Sequence, residues 1–81
     1  MRYFQIETST DSVWYIKTLN DGTIILTIEV FLNRCVLIRY SISDYVKTSI
    51  EESTINIISL TRKNWYRIIR NLLMSHYDTI L

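Results

Sequence analysis

Proline is absent from this 81-residue chain, glycine occurs once and cysteine once, and neither sign of charge dominates. Each scarcity excludes something. One cysteine forbids an intramolecular disulfide. The near-absence of proline and glycine argues against a linker, a low-complexity segment or a disordered tail. A net charge of +1, from nine basic and eight acidic residues, excludes a polybasic or polyacidic binder. No apolar run approaches the roughly 20 residues that span a bilayer, and nothing resembles a signal peptide, so the expectation is an intracellular protein of the cytoplasm or nucleus. Cys35, in the run Cys35-Val36-Leu37-Ile38, reads as a small buried hydrophobe.

What is abundant is apolar matter, 48% of the residues, much of it isoleucine. A chain this short buries only about 60–65% of its unfolded surface, so residues 1–81 are expected to form one domain built of two packed layers. The pattern predicts an α+β fold, an antiparallel sheet followed by one C-terminal amphipathic helix. Strands are expected near 2–7, 13–19, 23–32, 35–42 and 54–60. Asn20-Asp21-Gly22 is the best turn signal, because Asp-Gly tolerates positive φ. Ile24, Leu26, Ile28 and Val30 alternate onto one face. Residues 43–53 fit a loop, a helical turn or a continued strand. Sequential neighbours then pair by default, which gives a meander. A second apolar sheet face would need a partner chain to cover it.

The helix, expected over about 62–77, is the clearest element. Thr61 suits an N-cap, and Leu60 with Trp65 fits a hydrophobic staple. Trp65, Ile68, Ile69, Leu72, Leu73, His76 and Ile80 share one apolar arc, expected to face the core or a twin helix. Charge is segregated here. Residues 1–61 carry five basic and seven acidic side chains, whereas 62–81 carry Arg62, Lys63, Arg67 and Arg70 against Asp78. Arg62 and Lys63 in the first turn oppose the helix dipole, so they are either a solvated pair or an anion-binding pair. Tyr66 beside Arg67 and Arg70, and Tyr40 and Tyr45 beside Arg39 and Lys47, interleave aromatic and basic residues as single-strand binders do. One of Trp14 and Tyr15 is expected at the surface. With one histidine, one cysteine and no clustered carboxylates, no zinc site of ordinary composition forms. No nucleophilic triad, P-loop or dinucleotide fingerprint is present. No catalysis, metal or cofactor is expected.

Residues 55–69, and within them Ile58-Ser59-Leu60, Thr61 and Trp65, resemble the PC4-type transcriptional coactivator family, in which a last strand ending Ile-Ser-Leu leads through a polar cap into a helix. Arg34-Cys35-Val36-Leu37-Ile38-Arg39 resembles that family's basic-flanked second strand. The resemblance implies a homodimer with packed helices and curved sheets that bind single-stranded DNA. Arg34, Arg39, Lys47, Arg62 and Lys63 would then hold phosphates while Trp14, Tyr40 and Tyr45 stack bases. The sequence departs from the family in its extra strand material before Thr23 and its net acidic sheet. The competing expectation is a small protein-interaction module, such as a virus-encoded inhibitor of a host protein or a subunit of an assembly. It rests on apolar residues on both faces of several strands and on near-neutral charge.

Overall fold

In a computed structural model of the chain, residues 1–80 are described, with side chains described for residues 1–74. The order is β1 (Arg2–Thr8), β2 (Ser12–Thr18), β3 (Ile24–Phe31), β4 (Val36–Arg39), α1 (Asp44–Ser53), β5 (Thr54–Leu60) and α2 (Arg62–Ile80). The α+β class and the C-terminal helix agree with the sequence reading. The sheet is antiparallel in the order β4-β3-β2-β1-β5.

The first four strands are the expected meander. Leu19 N–H donates to the Thr23 carbonyl at 2.8 Å and closes the β2–β3 turn, where Gly22 takes φ 92°. A Cβ there would meet nothing within 4 Å, so backbone conformation rather than space selects glycine. Asp21 Oδ1 accepts from Thr23 N–H at 2.9 Å, and that bond holds the exposed Asp21 carboxyl below the usual carboxylate range.

The meander rule fails at β5, which pairs with β1 instead of β4. The segment left open in the sequence explains why. Ser43 Oγ accepts from Val46 N–H at 3.3 Å and caps α1, and this helix carries the chain from the β4 edge to the far edge. β4 is accordingly shorter than expected, ending at Arg39. Cys35 is corrected from buried to exposed, because Leu32–Cys35 form a turn in which Arg34 takes φ 68°.

Two cores result, one on each face of the sheet. Tyr3 and Ile28 meet Trp65 and Ile69 of α2, with Leu26, Val30, Val36, Leu60 and Tyr66 packed around them. On the other face Trp14 and Ile16 meet Ile50 of α1, with Ile6, Ile24, Ile42 and Val46. A register shift between Lys17 and Thr18 turns Ile24 onto this second face, away from Leu26, Ile28 and Val30 with which it was expected. The second apolar face is thus covered in part by the chain's own α1 rather than by a partner. No helix among the described residues is long and apolar enough to cross a membrane.

Candidate interaction surface

The residues expected to hold nucleic acid separate on folding. Trp14 is corrected from a stacking surface to core, 5% exposed beneath α1. Tyr15, its alternative, is half-buried on the opposite face against the α2 core. Trp14 is enclosed and Tyr15 partly covered because both sheet faces carry a helix. Arg39 is engaged too. Its Nη1 donates to Glu29 Oε1 at 3.0 Å, and its guanidinium lies 5.2 Å from the Trp14 ring centroid. This ion pair compensates the buried Glu29 carboxylate, so Arg39 has a structural task.

Tyr40 and Tyr45 are strongly exposed, at 80% and 83%, and flank the start of α1, with Lys47 one turn further on. Arg34 sits in the β3–β4 turn. Arg62 and Lys63 begin α2, the helix on the other face of the sheet. The structure therefore brings Tyr40, Tyr45 and Lys47 to one side and Arg62 and Lys63 to the other.

Thr61 caps α2 as expected, its Oγ1 accepting from Asn64 N–H at 3.2 Å. Of the apolar arc, Trp65 and Ile69 are buried and Ile68 and Leu72 half-buried, while Leu73 is exposed and so corrected out of the core face. The side chain of His76 lies outside the described residues. Tyr66, read beside the basic edge, instead packs edge-on against Trp65 and Tyr3. Its hydroxyl accepts from Lys17 Nζ at 2.6 Å. The α2 cations Arg62, Lys63, Arg67 and Arg70 remain exposed, and none joins a carboxylate among the described residues.

The feature that sequence reading missed is the free edge of β5. This strand, Thr-Ile-Asn-Ile-Ile-Ser-Leu, has no charge and no proline, and its outer edge has no strand neighbour among the described residues. Ile55 and Ile57 are 69% and 58% exposed. Edge strands present unpaired backbone N–H and C=O groups and are ordinarily blunted by charge, proline or shortness. β4, the opposite edge, is blunted: four residues long, ending in Arg39. β5 is not. Beside it an apolar cleft of about 470 Å³ opens on the α1 face, lined by Phe4, Ile6, Ile16, Ile24, Ile50 and Ile57 together with the charged Arg2, Lys47 and Glu51. The signal for this edge was in the sequence, nine uncharged residues between Glu52 and Arg62, but it has meaning only once β5 is known to be outermost.

Comparison with known protein families, with curated proteins and with solved structures finds no match to this chain.

Proposed function

We propose that this chain is a non-catalytic protein-interaction module that takes up a partner's extended strand along the free edge of β5. The observation that carries the reading is an uncharged, proline-free edge strand, in unbroken register from Asn56 to Leu60, with two exposed isoleucines. Main-chain hydrogen bonds supply affinity in this mode, and pockets for alternate side chains supply selectivity. The cleft beside Ile57 is such a pocket, apolar and within the roughly 300–1,000 Å³ of ordinary ligand sites. Selection from a random peptide library tests this. Binders should be uncharged β-formers, hold in high salt, and be lost on Ile57→Lys. Binders that map to α2, or none at all, would refute it.

A second reading, a dimeric, PC4-like binder of single-stranded nucleic acid in transcription or replication, is favoured by one observation. The four α2 cations are exposed and none pairs with a carboxylate among the described residues, although the Arg62 guanidinium lies 5.9 Å from the Tyr66 ring centroid. They provide phosphate contacts, but no exposed aromatic lies among them to stack bases, since Tyr66 is held in the core. This reading expects an oligo-dT complex whose log affinity falls with log salt by about 0.7 per phosphate neutralised. Reversal of Arg62, Lys63 and Arg67 to Glu should abolish it. A flat salt response in a fluorescence-anisotropy titration rejects the reading.

A further inference from the structure

We propose that the α1-face cleft binds a small amphiphile, a single unbranched alkyl chain ending in a carboxylate. The chain would lie on Phe4, Ile6, Ile16 and Ile24, with its carboxylate held by Arg2. The site is separate from strand capture and stands without it. Its floor belongs to β1, β2 and β3, one to three strands inboard of β5 at about 4.8 Å per strand. A strand paired to the β5 edge therefore meets the cleft only on its β5 side, at Thr54 and Ile57.

The first supporting observation is apolar surface left over by the cores. α1 is ten residues long and packs Val46 and Ile50 on the sheet over Trp14 and Ile16. Phe4 stands opposite Ile16 in the β1–β2 register and so shares its face, yet it is only half-buried and joins neither core. Ile57 is exposed and joins neither core as well. The cleft they line, about 470 Å³, is within the range of small-molecule sites. Removing such surface from water is what would drive binding of a hydrocarbon chain.

The second is what the floor cannot bond. β1 and β2 are each paired on both sides, so their backbone groups are spent in the sheet. Both hydroxyls in the lining donate within the chain. Thr18 Oγ1 donates to the Leu19 carbonyl at 2.8 Å, and Thr54 Oγ1 to the Ile50 carbonyl at 2.7 Å. A sugar, base or peptide laid there would give up water without recovering its hydrogen bonds. An alkyl chain has none to lose.

The third is charge. Arg2, Lys47 and Glu51 are the charged residues of the lining, all exposed, and none forms a salt bridge among the described residues. Lys47 and Glu51 are four residues apart on one side of α1, where their charges offset each other. Arg2, on β1, is left as the net charge of the site. Its planar guanidinium matches a carboxylate, so an anionic head group is attracted and a cationic one repelled.

Isoleucine-methyl NMR tests this, because the isoleucines report the two sheet faces separately. Decanoate, added below its micellar concentration, should saturably shift the methyls of Ile6, Ile16, Ile24, Ile50 and Ile57. Those of Ile28 and Ile69, in the core under α2, should stay in place. Decan-1-ol should bind about fivefold more weakly, and decyltrimethylammonium more weakly still. Arg2→Gln should lower decanoate affinity about fivefold and leave decan-1-ol unchanged, which also reports that the variant is folded. Shifts centred on Ile28 and Ile69, equal affinity for the three amphiphiles, undiminished binding by Arg2→Gln, or no saturation overturns the proposal. Association with phosphatidylglycerol vesicles in place of saturable decanoate binding also overturns it, since the face would then meet a membrane surface rather than a free alkanoate. A peptide captured by β5 moves the amides of Asn56–Leu60 instead, so each reading can fail alone.

Discussion

Trp65 is fully enclosed between Tyr3, Ile28 and Ile69, yet its indole Nε1 has no hydrogen-bond partner among the described residues. A buried orphan donor costs about 1–3 kcal/mol, while loss of the whole side chain costs about 3–5 kcal/mol. These opposed terms predict different outcomes at one site. Trp65→Ala should remove most of the roughly 5–10 kcal/mol margin of a small domain. Trp65→Phe keeps the aromatic contacts with Tyr3 and Tyr66, sheds the orphan donor, and should cost less than about 1.5 kcal/mol by urea unfolding. A Phe variant as damaged as the Ala variant would refute that partition. Tyr15 makes a second residue-scale prediction. Burial, and secondarily the Glu7 carboxylate, raise its phenol above the ordinary value. A folded pKa above the unfolded one means that its contribution is complete below about pH 10 and is lost as pH rises through the folded value. Tyr15→Phe should flatten the alkaline limb of a plot of unfolding midpoint against pH. An unchanged slope counts against the assignment. Residue identity was legible in the sequence for Trp65 and Gly22, and illegible for Trp14. The Val13-Trp14-Tyr15-Ile16 run is apolar on both sides, and alternation cannot tell which side is covered.

At the scale of elements, α1 is the weakest unit. Ten residues fall short of the roughly 12–15 at which a helix begins to hold alone, so it depends on its Ser43 cap and on Val46 and Ile50 against the sheet. Ser43→Ala should cost about 1 kcal/mol. Amide exchange over Val46–Ile50 should quicken about fivefold, with α2 amides unaffected if the loss stays local. Uniform acceleration throughout the chain would mean that α1 opens only with the whole fold. This helix was ambiguous in sequence for the same reason that it is weak. Its apolar residues are few, and two of its turns are polar and charged. α2, by contrast, announces itself through nineteen residues of 3.6-fold periodicity and the Thr61 cap. The hairpins were equally plain, because turn chemistry and two-residue alternation are local.

The whole molecule is a sheet with a helix on each face and one unguarded edge. Its charge is divided to match: the exposed cations of α2 lie on one side, and Arg39, spent on Glu29, on the other. The expected phosphate-and-stacking set therefore does not assemble into one surface, and the β5 edge becomes the continuous feature available to a partner. Whether strands or nucleic acid occupy this molecule is resolved by salt. Edge pairing is insensitive to it, and phosphate binding is steeply weakened.

By itself the sequence determined the class of the fold, the β1–β4 hairpins and the amphipathic helix that ends it. Each of these follows from turn residues, caps and periodicities that act over a few positions. Only the tertiary structure decided that β5 joins β1, that Trp14 is enclosed and Arg39 engaged, and that an uncharged strand is left at the edge. Strand order is a long-range choice made by the path of α1 across the sheet. Periodicity reports that a face is apolar, but what covers that face depends on contacts between residues far apart in the chain.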